Sequence, residues 1–77
     1  MIIKYKKNST SGSDVKIIVS LKVSKKAVVR NKIRRRIREI LKPKDLSGYD
    51  LVVITNKDIL DKDFQEIKKM IDARLRI

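Results

Sequence analysis

The segment over residues 26–41 constrains the fold of this chain most, because its apolar side chains recur at helical spacing. At about 100° per residue they fall within an arc of about 120°. The members of this arc are Val29, Ile33, Ile37, Ile40 and Leu41. Ser24 is placed to cap the start of the helix, and Pro43 ends it. The segment therefore predicts a helix from about Lys26 to Leu41 that buries one stripe in a core.

Nearly all of the remaining circumference of this helix is cationic. Like charges stack one turn apart at Arg30, Arg34 and Arg38, with Glu39 as the one acid nearby. Each such pair costs a few tenths of a kcal/mol, and a helix that needed only solubility would alternate its signs. These cations are therefore expected to bind a partner molecule. The alternative is that they only form a solvent-exposed side of the helix.

Arginine, more than lysine, dominates this segment, since five of the seven arginines in the chain lie between positions 30 and 38. A guanidinium group binds phosphate oxygens in pairs and stacks on bases, which an ammonium group cannot do. Lys25 and Lys26 are predicted phosphate contacts. Asn31 is predicted to bind a base edge or a 2′-hydroxyl, or else is an ordinary exposed polar residue. The predicted RNA-binding residues are Lys25, Lys26, Arg30, Asn31, Lys32, Arg34, Arg35, Arg36 and Arg38.

The rest of the chain supplies three strands and a second helix. The predicted elements are an edge strand over 1–7, a loop over 8–14, a half-buried strand over 15–23, the basic helix, a central strand over 51–54, and a helix over about 62–76. Asp58 or Asp61 is expected to cap the last helix. The order β-β-α-β-α predicts an α+β fold of two layers, with a small sheet and helices packed on it.

Length and charge restrict the class of protein. The 77 residues are expected to form a single domain over 1–77. No apolar run approaches the roughly 18 residues that a membrane span needs, and the absence of cysteine fits the cytoplasm.

Residues 1–44 carry fifteen Lys and Arg against two acids, whereas residues 45–77 carry six against seven. The net charge of +12 thus comes from the first half and predicts a polyanionic partner.

Residues for independent catalysis are scarce. The chain has no histidine, no cysteine and only two glycines, so a histidine base, a thiolate nucleophile and a glycine-rich phosphate loop are excluded. The cluster of Asp58, Asp61 and Asp63 could bind a metal ion, but helix capping explains these residues better. We therefore expect no catalytic residue, metal site or cofactor in the protein itself.

The order of residues from Val23 to Ile40 resembles the bacterial ribonuclease P protein subunit. That family has a strand ending in Val-Ser-Lys-Lys, followed by a helix with Ala-Val-x-Arg-Asn-Arg-x-Lys-Arg-x-x-Arg-Glu. The identical positions here are Val23, Ser24, Lys25, Lys26, Ala27, Val28, Arg30, Asn31, Arg35, Arg38 and Glu39. Lys32 and Arg34 replace the usual residue with one of the same charge. The Gly48–Ile54 segment resembles the family's glycine and aspartate before an apolar strand.

The resemblance implies a specific function. The catalyst of the family is the RNA subunit, which uses Mg²⁺, and the protein binds that RNA through the Arg-Asn-Arg helix. The enzyme removes the 5′ leader from precursor tRNA by hydrolysis. The family fold has an unusual left-handed β-α-β crossover, and we expect this crossover here. The fold resembles that of the second domain of a small-subunit ribosomal protein. No obligate protein partner is expected.

Two departures from the family concern the start of the basic helix and the N-terminus. Lys26 directly precedes Ala27, where the family usually has about three further residues, so the loop is expected to be tighter. The family also has an N-terminal helix that forms one wall of a cleft for the 5′ leader, and the resemblance is to a short form without it. Tyr5 and Lys22 are the candidates for the leader or substrate face, although Tyr5 is equally explained as an edge-strand aromatic residue.

Two further hypotheses compete with this one. A non-enzymatic, ribosome-associated RNA-binding protein would share the basicity but would not require the ordered Arg-Asn-Lys-x-Arg-Arg motif. A membrane-surface helix would need bulky aromatic residues on its apolar side. The basic helix has only Ile, Val and Leu there, and these are needed for the core.

Overall fold

The computed structural model describes residues 1–75 and confirms the predicted order of elements. The elements are β1 (Ile2–Lys7), β2 (Asp14–Ile18), α1 (Ala27–Leu41), β3 (Tyr49–Ile54), a short 3₁₀ helix (Lys57–Asp61) and α2 (Phe64–Arg74). The first strand and both long helices lie where the sequence patterns predicted them. The fold is α+β.

The three strands of the described chain form a mixed sheet in the order β1-β3-β2. Strand β3 is central, as predicted, and β1 is an edge strand. β1 pairs antiparallel with β3, which sets Ile3 opposite Val53. β2 pairs parallel with β3, which sets Ile17 opposite the same Val53. Because β2 and β3 are parallel neighbours, α1 is the crossover between them, and its left-handedness stays a prediction.

One face of the sheet packs against both helices. Leu51 and Val53 on this face are fully buried, and they share a core with Ile37 of α1 and Ile67 of α2. The apolar arc of α1 is confirmed, since its buried residues are Ile33, Ile37, Ile40 and Leu41. On the opposite face of the sheet Val52 is only half-buried. The two-layer arrangement turns the cationic side of α1 away from the sheet.

The second strand is shorter than predicted. Its alternation continues to Val23, but pairing ends at Ile18, whose carbonyl accepts hydrogen bonds from both the N–H and the hydroxyl of Thr55. The chain then turns, with the Val23 N–H donating to the Ser20 carbonyl at 3.0 Å. Val23 stays buried, whereas Leu21, which would lie on the same side as Val23 in a strand, is 66% exposed. The prediction of a strand over 15–23 was wrong beyond Ile18.

The capping of α1, unlike its position, differs from the prediction. The residue that precedes the helix is Lys26, which has extended backbone angles and makes no side-chain capping bond. Ser24 instead accepts a hydrogen bond on its hydroxyl from the Lys26 N–H at 3.2 Å. The Ser24 hydroxyl therefore orders the tight loop before the helix and does not cap the helix itself.

Helix α2 is capped by Asp63, and the prediction of Asp58 or Asp61 was wrong. The Asp63 carboxylate accepts from the Glu66 N–H at 2.8 Å, and the Glu66 carboxylate accepts from the Asp63 N–H at 3.4 Å. This reciprocal pair is a capping box. Asp58 and Asp61 fall in the 3₁₀ helix, which the sequence pattern did not indicate. Position 76 of the predicted helix lies outside the described residues.

Replacing Asp63 with alanine is expected to lower the free energy of unfolding by about 1 kcal/mol, because the Glu66 N–H at the start of α2 loses its acceptor. Asp61→Ala is the matched control, since the Asp61 side chain is 79% exposed and forms a surface ion pair with Lys62. Urea unfolding followed by circular dichroism measures both variants. Equal effects of the two substitutions would contradict the assignment of the cap.

Candidate nucleic-acid interface

The predicted RNA-binding residues divide into two groups by exposure. Those that are half-buried are Arg30, Arg34 and Arg36. Those that are exposed, which we call the basic face, are Lys25, Lys26, Asn31, Lys32, Arg35 and Arg38. The members of the basic face that lie within α1 occupy about a third of its circumference at 100° per residue. The basic face is directed away from the core, and its arc on α1 includes one exposed acid, Glu39.

Two of the half-buried arginines fasten α1 to the loop that precedes it. The Arg30 guanidinium donates to the Ser24 carbonyl at 2.9 Å, which places it beyond the N-terminal end of the helix. Arg34 donates to the Val19 carbonyl at 3.3 Å, fifteen positions earlier in the chain. These contacts hold the segment from Val19 to Lys26 against the helix. They give Arg30 and Arg34 a role in positioning the surface in addition to their charge.

Asn31 lies within the basic face and is held by one of these arginines. Its side-chain oxygen accepts a hydrogen bond from Arg34 at 2.9 Å. With the oxygen occupied, the NH₂ group is the part of this amide that can donate to a base edge or a ribose hydroxyl. The Arg34–Asn31 contact therefore sets the orientation in which Asn31 meets a partner.

The two candidates for the substrate face, Tyr5 and Lys22, are not brought together. Tyr5 is in β1, opposite Leu51 and so on the helix-covered side of the sheet, with its ring against Tyr49 at a centroid distance of 6.3 Å. Lys22 lies in the turn after β2, at the other edge of the sheet, and lines a surface depression with Lys25. Lys22 thus extends the basic face, whereas Tyr5 lies apart from it.

A groove at the C-terminal end of α1 was not anticipated from the sequence. It has a volume of about 440 Å³, and its lining residues are Ser13, Val15, Arg38, Leu41, Lys42, Lys44, Asp45, Leu46 and Ser47. Three segments that are distant in the chain form it: the start of β2, the last turn of α1 and the loop before β3. Arg38 belongs both to this groove and to the basic face, so the two surfaces are continuous.

The acidic residues that could have bound a metal ion have other partners. Asp63 caps α2, Asp61 pairs with Lys62 at 3.0 Å, and Asp58 lies 4.0 Å from the N-terminal amine. Across residues 1–75, no three His, Cys, Asp or Glu side chains gather in an arrangement that could hold a metal ion. In the same part of the chain, no helix is long and apolar enough to cross a membrane.

Comparison with known protein families identifies the family of this chain. The sequence profile of the Ribonuclease P family matches residues 1–77. The chain belongs to the ribonuclease P protein family. Structures of the RNase P protein from Thermotoga maritima superpose on it with TM-scores of 0.81 and 0.80 at 30% identity. These alignments cover 97% of this chain and 77% and 74% of the two solved chains.

Curated ribonuclease P protein components from several bacteria are similar in sequence. Those from Cyanothece sp. and Thermus thermophilus are 40% and 44% identical over 62 residues, covering 77% and 80% of this chain. The component from Streptococcus agalactiae is 42% identical over 64 residues, covering 77% of this chain. The aligned regions span 47%, 37% and 59% of these relatives. This chain therefore spans about half the length of the curated relatives it matches.

Proposed function

We propose that this chain is the protein subunit of a bacterial ribonuclease P and binds the catalytic RNA through the basic face. The observation that carries the proposal is the set of exposed cations on α1 in the residue order of the family. Phosphate contacts from Lys32, Arg35 and Arg38 fix the position of the RNA. Asn31 adds a neutral donor that can distinguish bases or riboses.

In this proposal the chemistry belongs to the RNA subunit, where Mg²⁺ acts, and the protein assists removal of the 5′ leader from precursor tRNA. The chain itself offers no histidine or cysteine for general base or nucleophilic catalysis. Its contribution is electrostatic, because cations beside the RNA reduce the repulsion between the phosphates of enzyme and substrate. Tyr5 and Lys22 stay candidates for contact with the substrate, and the proposed setting is the bacterial cytoplasm.

Cleavage of precursor tRNA by a bacterial ribonuclease P RNA tests this function. Adding the chain is expected to lower the Mg²⁺ concentration needed for half-maximal cleavage, since protein cations replace part of the metal ions that shield the phosphates. An equally basic but unrelated RNA-binding protein is the control. Unchanged Mg²⁺ dependence with every bacterial catalytic RNA tried would contradict the proposal. A ribosome-associated role, which the family match does not favour, would then be supported by recovery of ribosomal RNA in pull-downs.

Affinity for the catalytic RNA is expected to fall steeply with salt. Five to eight neutralised phosphates predict a slope of roughly −4 to −7 in a plot of log affinity against log salt concentration. Filter binding between about 50 and 200 mM salt measures this slope. An affinity that hardly changes over this range would contradict an electrostatic interface.

Arg34 and Arg35 are adjacent arginines for which the structure predicts different effects. Arg34→Ala loses the contacts to Val19 and Asn31 and is expected to lower the free energy of unfolding by about 1 kcal/mol. Arg35→Ala is expected to change the free energy of unfolding by less than about 0.5 kcal/mol. It should make the slope of log affinity against log salt concentration shallower by about 0.9. Thermal unfolding and salt-dependent binding of both variants separate the two roles. Identical profiles would show that the distinction is wrong.

A further inference from the structure

We propose that the groove at the C-terminal end of α1 binds one unpaired nucleotide of the RNA that lies along the basic face, and that Asp45 selects a base carrying an amino group. This inference rests on the proposed function, because the RNA that occupies the groove is the one held by α1. It adds to that function a site that reads a base.

The apolar floor of the groove suits the flat ring of a base. Its floor is apolar, formed by Leu41 and Leu46, which are 4% and 8% exposed, and by the half-buried Val15. Its volume of about 440 Å³ lies near the lower end of the roughly 300–1,000 Å³ typical of small-molecule sites. RNA-binding proteins commonly hold splayed-out bases by stacking them on aromatic rings or arginine guanidinium groups and by hydrogen bonds to the base edge. Arg38 is the arginine that lines this groove.

The charges of the groove distinguish where the phosphate and the base of a nucleotide would lie. Arg38 and Lys42 are exposed on the α1 side and continue the basic face, so a phosphate passing along the helix meets them. Lys44, by contrast, is bound to Asp72 at 2.6 Å. The phosphate is therefore placed on the helix side of the groove, and the base points toward the loop before β3.

Asp45 is the acidic residue of the groove, and it faces away from the phosphate side by this assignment. One of its oxygens accepts a hydrogen bond from the Ser47 N–H at 3.1 Å. This N–H, followed by the Ser47 hydroxyl, lowers the pKa of the Asp45 carboxyl from its usual value, so the group is ionised at neutral pH. A carboxylate accepts hydrogen bonds and repels phosphate, so it suits the amino group of cytosine, adenine or guanine. Uracil has no amino group, and its N3–H donor is flanked by two carbonyl oxygens that would repel Asp45.

The loop that carries Asp45 is braced before any ligand binds. The Lys44 N–H donates to the Leu41 carbonyl at 3.0 Å, and the Tyr49 N–H donates to the Leu46 carbonyl at 3.1 Å. The Gly48 N–H donates to the Gly12 carbonyl at 3.0 Å, which joins this loop to the one before β2. A preformed site loses less entropy on binding than a mobile loop would.

The test uses the complete chain labelled with ¹⁵N and titrated with two short RNAs, tetracytidylate and tetrauridylate. We expect tetracytidylate to shift the amide signals of Ser13, Leu46 and Ser47 at roughly tenfold lower concentration than tetrauridylate. Asp45→Asn keeps the oxygen that accepts from Ser47 but removes the charge, and it is expected to reduce this preference to about twofold or less. Lys42→Gln should lower the affinity of the groove for both RNAs equally. The control Lys69→Gln, on the exposed side of α2, should leave both affinities unchanged.

Three results would overturn the proposal. In the first, the RNAs shift the amides of Lys32 and Arg35 but none at the groove. In the second, the two RNAs shift the groove amides equally, and in the third, the preference survives Asp45→Asn. All three leave the proposed function standing, because that function is tested separately by the Mg²⁺ dependence of cleavage.

Discussion

Replacing Lys32 and Arg35 together with alanine is expected to lower the affinity for a bacterial ribonuclease P RNA by about 30-fold or more at physiological salt. Both side chains are exposed on α1 and stand one turn apart within the basic face. A hydrogen bond between charged groups contributes about 1.5–3 kcal/mol, so loss of two phosphate contacts accounts for this effect. The salt slope should also become shallower by about 2. Filter binding at several salt concentrations measures both quantities.

The matched control for this variant changes the charge elsewhere. Lys68 and Lys69 are exposed on α2, and replacing both with alanine lowers the net charge from +12 to +10, the same change as in the test variant. If the basic face binds the RNA, this control should lose less than about threefold in affinity, because only long-range attraction is reduced. Equal losses in the two variants would mean that net charge, and not the surface of α1, determines binding.

Replacing Ile37 with alanine is expected to lower the free energy of unfolding by about 2–5 kcal/mol. Ile37 has no exposed surface and lies in the core with Leu51, Val53 and Ile67. A domain of this size has a total stability of only about 4–12 kcal/mol, so this one change removes a large part of it. Because the basic face depends on a folded α1, RNA binding should fall together with the folded fraction. Chemical unfolding followed by circular dichroism gives the size of the effect.

Two variants on the same helix control for this prediction. Ile37→Val should cost only about 0.5–1.5 kcal/mol, since it removes one methylene group from the core. Val28→Ala should stay within about 0.5 kcal/mol of the original protein, because Val28 is 79% exposed. A similar loss in Val28→Ala and Ile37→Ala would contradict the assignment of the buried face of α1.

The periodicity of α1 allowed its buried and exposed sides to be predicted, because the helix has one dominant apolar stripe. The rotation of the helix about its axis follows from Ile33, Ile37 and Ile40 alone. The uninterrupted apolar run from Leu51 to Ile54 likewise predicted the central position of β3 in the sheet. Where one pattern fully determines burial, local sequence is sufficient.

The end of β2 could not be predicted from alternation, because the pattern continues beyond the point where the neighbouring strand stops. Strand β3 ends at Ile54, so residues after Ile18 have no partner for strand pairing and the chain turns. Likewise, Asp58, Asp61 and Asp63 are all suitable caps by type. Only the geometry of the 3₁₀ helix shows that Asp63 is the one at the start of α2.

Chemical type identified the residues of the basic face, but their division into contacting and positioning groups required the structure. Arg34 and Arg35 are identical in type and adjacent in sequence, yet only Arg34 reaches the Val19 carbonyl. The groove was beyond prediction for a similar reason, since Ser13, Arg38 and Asp45 become neighbours only through the packing of three separate segments.

The affinity of this chain for a bacterial ribonuclease P RNA, compared with a ribosomal RNA fragment of equal length, tests the proposed function most directly. Both titrations use the same salt and Mg²⁺ concentrations, so that non-specific attraction to phosphate contributes equally. The proposed function predicts at least about tenfold tighter binding to the ribonuclease P RNA, with the preference lost on replacing Lys32 and Arg35 by alanine. Equal affinity for the two RNAs would contradict it.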